Sequence, residues 1–119
     1  MEVQKEGWLF KQSKFLKRLR KRYIILTKDF ICSFKSQYYP GEKPTEILYF
    51  TNFTELTSVE DLRKIRQVER EIGLNDLHLF KIRYINRNIV FVTVDRDEKN
   101  DWMKHISKQM IKQTVLLND

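Results

Sequence analysis

A single cysteine, Cys32, excludes an internal disulfide, so any core must form without a covalent staple. With two prolines and three glycines in 119 residues, collagen-like and low-complexity architectures are excluded as well. No apolar run approaches the roughly eighteen residues that span a bilayer, and the opening MEVQKEGW lacks the apolar stretch of a signal peptide. The reading is a cytoplasmic, soluble domain. The only two histidines, His78 and His105, have no neighbouring Cys or spaced His, so no metal-ligand set forms. Nucleotide-binding glycine motifs and a recognisable Ser-His-Asp spacing are missing too, which argues against an enzyme and against a cofactor.

The most informative absence is local. Between Lys11 and Lys28 there is no Asp or Glu, but there are eight basic residues: Lys11, Lys14, Lys17, Arg18, Arg20, Lys21, Arg22 and Lys28. The rest of the chain holds 15 basic against 16 acidic residues, so the whole net charge of +7 originates in this stretch. A concentration of one sign within a folded region points to an anionic partner. Hydrophobic content of 41%, with five Tyr, eight Phe and two Trp, supports one globular domain over residues 1–119, expected to be a monomer.

Period-two alternation predicts strands at Lys5 to Gln12, Arg20 to Thr27 and Phe30 to Lys35, with a tight turn at Lys28-Asp29. A loop from Tyr38 to Pro44 precedes strands at Thr45 to Phe50 and Phe53 to Thr57. From Ser58 to Gly73 the apolar period lengthens to three or four, which predicts a short helix over 59–72 with Ser58 and Asp61 as its capping box. Leu77 to Ile85 and Asn88 to Val94 read as a hairpin turning at Asn86 and Arg87. A last helix begins at Asp95 and steps through Trp102, Ile106 and Met110. The fold class is therefore all-β with a C-terminal α-helix: seven antiparallel strands in a sandwich or barrel, one open end plugged by Trp102.

Alternation also places Arg20 and Arg22 on one strand face, about 7 Å apart, with Lys11 facing them from the neighbouring strand. Such a cluster is repulsive when empty, and guanidinium forks bind phosphate oxygens in pairs. Lys14, Lys17 and Arg18 flank an apolar loop tip, Phe15-Leu16, placed to enter the acyl boundary of a membrane.

The stretch GWLFKQSKFLKRLRKRYIIL, from Gly7 to Leu26, resembles the opening of a pleckstrin homology (PH) domain, and FVTVDRDEKNDWMKHI, from Phe91 to Ile106, resembles that family's last strand and C-terminal helix with its signature Trp. The resemblance implies a PH-type fold and a membrane-targeting function on the cytosolic face. Lys11, Arg20 and Arg22 fall on positions that hold phosphoinositide phosphates in the family. Where many members carry a phosphate-binding Tyr on strand 3, the counterpart here is Phe34; Lys35 and the segment Asn86 to Asn88 are expected to contribute instead. Lipid-anchored PH proteins of apicomplexan parasites are associated with phosphatidic acid, and the Asn-, Lys- and Ile-rich usage here is similar to such proteomes. The partners are thus anionic phospholipids, either phosphoinositide or phosphatidic acid. A protein partner at the 59–72 helix or a strand edge stays open. Nucleic acid is not expected, because Trp8 and Tyr23 alternate out of phase with Arg20 and Arg22, leaving no aromatic platform between the cations.

Overall fold

Apolar residues at every second position give each strand one dry face, and Leu9, Ile24, Leu26, Ile31, Leu48, Phe80, Ile82, Ile89 and Phe91 meet in a single buried cluster. They come from six strands, so the sheet that carries them must curl around its own inner face. In the computed structural model, which describes residues 2–37 and 41–118 (backbone alone for 114–118), it does so. The strands are β1 (Val3–Gln12), β2 (Leu19–Thr27), β3 (Phe30–Phe34), β4 (Glu46–Tyr49), β5 (Phe53–Val59), β6 (His78–Tyr84) and β7 (Arg87–Thr93). They form one antiparallel sheet in the order β4-β3-β2-β1-β7-β6-β5. Near the seam, the hydroxyl of Tyr84 on β6 accepts from the Tyr49 backbone N–H at the end of β4 and from the Asn52 amide, each at 3.4 Å.

Helix α2 (Arg96–Asn118) closes one end. Its first turn starts where the Lys99 N–H donates to the Asp95 carbonyl, and Trp102 and Ile106 one turn apart are each 1% exposed within the central cluster. The Lys5 ammonium sits 5.0 Å from the Trp102 ring and is held there by Asp101 at 2.6 Å. The plug expected at Trp102 is in place.

Helix α1 (Leu62–Ile72) begins later than its apolar period suggested. Asp61, not Ser58, is the cap: its carboxylate accepts from the Arg63 N–H at 3.0 Å, while the Ser58 hydroxyl donates to Glu60. Val59 belongs to β5, opposite Leu79, and Leu62 is left exposed. At the other end Gly73 takes the left-handed conformation (φ 82°) that ends the helix, as expected. The helix lays Ile65, Val68 and Ile72 over Leu77, Leu79, Val90 and Val92, covering the outer face of β6 and β7. Glu71 ties it to β2 by accepting from the Leu19 N–H at 2.7 Å.

Three smaller boundaries also moved. The fourth strand stops at Tyr49 because Phe50–Asn52 form a 3-10 turn, and Lys35 lies just past β3. The β6–β7 turn is Ile85-Asn86: Tyr84 pairs with Arg87, so Arg87 opens β7 and Ile85 adopts φ 56°. Of the loop expected from Tyr38 to Pro44, residues 38–40 lie outside the described part. Among the described residues no helix is long and apolar enough to cross a membrane.

Candidate functional site

Among the described residues, the mouth of the barrel is lined mainly by basic and polar side chains, and there the basic stretch gathers. Lys11 pairs with Arg20 and Leu9 with Arg22 across β1 and β2. Because Leu9, Ile24 and Leu26 point inward, the residues in phase with them turn toward the barrel mouth. A cleft of about 630 Å³ opens there, lined by Lys11, Lys14, Arg20, Arg22 and Lys35, with Phe15 and Leu16 on its rim and Ser13, Thr45 and Glu46 completing the wall.

Seven of the nine expected site residues therefore meet at one cleft. Lys17 and Arg18 do not. Lys17, in a left-handed conformation, turns to a separate groove with Lys64, Lys81, Asn86 and Asn88. Arg18 serves the loop through its backbone, exchanging bonds with Ser13: Ser13 N–H to the Arg18 carbonyl at 2.7 Å, and Arg18 N–H to the Ser13 hydroxyl at 3.1 Å. Those bonds pin the base of the loop and leave Phe15 at 86% and Leu16 at 68% exposure. The contribution expected of Asn86 to Asn88 is also corrected, since both Asn side chains line that other groove and only Arg87 reaches the mouth.

Glu46 was not foreseen. Its carboxylate accepts from the Lys11 ammonium and takes a two-pronged contact from the Arg87 guanidinium, at 2.6 and 2.9 Å. It thereby joins β1, β4 and β7 across the mouth. Burial pushes Lys11 below the usual lysine range, although Glu46 opposes the shift. Burial would raise Glu46, but the bonds from Arg87 and Lys11 outweigh it and hold the carboxyl below its usual value. Lys11 is thus a buried cation already neutralised, where the sequence suggested a free one. The partners lie 35 and 41 residues away, a separation at which no local pattern signals a contact.

Arg20 and Arg22 differ from Lys11. Among the described residues no carboxylate lies within ion-pair distance of either, or of Lys14 or Lys35. Arg22 donates to the Lys21 carbonyl at 3.0 Å, and its pKa is lowered by burial and then by the neighbouring charge of Arg20. The two guanidinium groups feel each other without a counter-charge. Phe34 faces the other way: it pairs with Tyr23 and packs with Ile25 and Cys32 on the outer side of the sheet. Its missing hydroxyl therefore takes nothing from this cleft.

Trp8 and Tyr23 also lie on the outer side, edge to face at 5.3 Å, with Lys21 over the Trp8 ring.

The sequence matches the PH domain family over residues 3–110. No curated protein matches it. Solved structures similar to it include the C-terminal PH domain of human pleckstrin (TM-score 0.68, 23% identity, covering 92% of this chain and 80% of that one). A crystal structure of the C-terminal PH domain of pleckstrin in complex with D-myo-Ins(1,2,3,5,6)P5 is also similar (TM-score 0.65, 22% identity, 92% and 96% covered). So is the Slm1 PH domain in complex with inositol 4-phosphate (TM-score 0.62, 23% identity, 92% and 97% covered). At these identities the likeness establishes the fold.

Proposed function

We propose that this chain, which belongs to the PH domain family, docks on the cytosolic face of a membrane by binding phosphomonoester-bearing lipid headgroups in the cleft at the mouth of its barrel. One observation carries the reading: Arg20 and Arg22 are held side by side with no carboxylate partner among the described residues, next to an apolar loop tip exposed to solvent. A bound phosphate relieves the repulsion and accepts bonds from both guanidinium forks. Lys14 and Lys35 add charge from the two flanking loops, and Lys11 donates from the floor while Glu46 holds it in place. Lys17 and Arg18 act at longer range, toward the membrane surface beside the cleft.

Charge alone gives weak binding. Four uncompensated cations at roughly 1 kcal/mol each near an anionic leaflet supply about 4 kcal/mol, which corresponds to about millimolar affinity. Phe15 is almost fully exposed and Leu16 about two-thirds exposed, so inserting them removes apolar area that folding has left wet. At roughly 1.5 to 3 kcal/mol per side chain this brings the total to about 7 to 10 kcal/mol, which spans about ten micromolar to tens of nanomolar.

A cleft of about 630 Å³ is roomy for a single phosphate and suits a headgroup with several phosphates. That favours a phosphoinositide over phosphatidic acid. Two solved relatives in fold carry inositol phosphates, which agrees with that chemistry.

The test is co-sedimentation with vesicles of phosphatidylcholine alone or containing a phosphoinositide or phosphatidic acid. The Arg20→Ala, Arg22→Ala double variant should stay with the supernatant while its thermal transition matches the parent. Sedimentation of the double variant with phosphoinositide vesicles at the parent's level would remove the cleft from the account. A stronger response to phosphatidic acid than to phosphoinositide would reassign the headgroup.

A further inference from the structure

The β5 strand ends the sheet, pairing with β6 on one side and, among the described residues, with no strand on the other. An antiparallel terminal strand turns alternate N–H and C=O groups outward, where another extended chain can bond them. Sheets commonly protect such edges with Pro, Lys, a bulge or shortness. The other terminal strand, β4, has four residues; β5 has seven, its one irregularity lies between Phe53 and Glu55, and the run from Glu55 to Val59 beyond it pairs regularly and contains neither Pro nor Lys.

Alongside this edge runs a groove of about 730 Å³, walled on one side by Leu56, Ser58 and Glu60 with His78 of β6 behind them, and on the other by one face of α2. That face presents Arg96, Lys99, Met103, Lys104 and Ser107, which recur at helical spacing. Three of these are cations, and Glu60 is the one carboxylate in the lining. Lys99 is 7% exposed, yet its ammonium has a single acceptor among the described residues, Glu60 at 3.4 Å, whose side chain is 79% exposed. An ammonium carries three donors and is rarely buried with so little satisfaction.

We propose that this groove binds an extended acidic peptide of a partner protein, which adds a strand to β5 and places alternate carboxylates against Lys99, Lys104 and Arg96. Side chains of an added strand alternate, so acids at every second position all reach α2 while the intervening ones face solvent. From Arg96 to Ser107 the helix rises about 17 Å, the length of about five extended residues. An incoming carboxylate supplies the acceptor Lys99 lacks and displaces the exposed Glu60. The groove shares no lining residue with the cleft at the barrel mouth, so the proposal is independent of lipid binding.

The probe is a fluorescein-labelled heptapeptide of alternating Thr and Glu, titrated into the whole chain at low salt and followed by fluorescence anisotropy and by backbone amide shifts. Saturable binding is expected, with shifts confined to residues 56–60, His78 and residues 96–107. Lys104→Glu, an exposed site that leaves packing intact, and Lys99→Met should each weaken it about tenfold or more, and Glu60→Gln should strengthen it. The Arg20→Ala, Arg22→Ala variant should bind as the parent does. A peptide with Lys in place of Glu, or one N-methylated on its backbone, should fail. Absence of saturation at millimolar peptide, equal binding by the Lys peptide, indifference to N-methylation, or loss in the Arg20/Arg22 variant would each overturn the proposal.

Discussion

Glu46→Gln should make the protein less stable and a better anion binder at once. The side chains of Lys11, Glu46 and Arg87 are 5%, 11% and 23% exposed, so the carboxylate compensates two cations that water reaches poorly. Breaking a buried ion pair from one side costs about 3 to 5 kcal/mol. The glutamine oxygen still accepts one bond and Arg87 is partly wet, which places the loss nearer 3. For a domain of this size that is a drop of roughly 10 °C or more in melting temperature. The effect on ligand has the opposite sign. A phosphate in the cleft about 8 Å from the lost charge is freed of about 2 kcal/mol of repulsion at an effective dielectric of about 20, cut to about 1 by screening at physiological salt. Affinity for a soluble inositol polyphosphate should therefore rise about fivefold, and saturating ligand should raise the melting temperature of the variant more than that of the parent. Differential scanning fluorimetry with and without ligand reads both. A variant that melts lower and also binds more weakly would show that Glu46 shapes the cleft mechanically, and the electrostatic reasoning would fail.

The same triad sets a pH dependence. The Glu46 pKa is lowered on folding, so its contribution to stability is present above the unfolded carboxylate value and is lost as pH falls through the folded one. Lys11 is lowered as well, so stability should gain again as pH rises toward the ordinary lysine range. Urea midpoints across pH should show the acid limb flattened in Glu46→Gln; an unchanged limb would assign acid sensitivity elsewhere. Trp102→Ala should cost about 3 to 5 kcal/mol through the cavity it leaves, whereas Trp102→Phe should cost less, because the buried indole N–H has no hydrogen-bond partner among the described residues to lose. Ile85→Asn should stabilise by about 1 kcal/mol, since a β-branched residue at φ 56° is strained and Asn tolerates that conformation. Phe15→Ser with Leu16→Ser should weaken vesicle binding by about a hundredfold or more without changing the headgroup ranking. Equal affinity would exclude insertion.

What could be read from the sequence was whatever repeats locally. The strands were legible because apolar residues alternate within each one, and α2 because Trp102, Ile106 and Met110 step along one face. Boundaries failed where a residue satisfies two periods. Val59 fits the helical spacing of Ile65 and Val68 and also the alternation of β5, and only its pairing with Leu79 decides between them. The turn at Ile85-Asn86 was misplaced because Ile is a poor left-handed residue, and the register of β6 against β7 overrides that preference. In the site, alternation correctly put Lys11, Arg20 and Arg22 on one face but could not say which of them owned a counter-charge. That distinction depends on Glu46 and Arg87, which only the closure of the sheet brings to Lys11.

The two ends of the barrel show why the anion site lies where it does. At one end α2 supplies Trp102 and Ile106, and the interior is closed by apolar contact. At the other, inward-pointing positions of β1 and β2 carry Lys11, Arg20 and Arg22, with Lys11 directly opposite Arg20. Like charges at paired positions destabilise a sheet. A sequence optimised for stability alone would put uncharged residues there, as it does two pairs further along the same face, where Gly7 and Ile24 meet. Glu46 offsets the deepest cation and so permits the arrangement without cancelling it. The charge that remains on Arg20 and Arg22 is the part that folding leaves uncompensated, and departures of this kind from local consistency are expected where a ligand completes the structure.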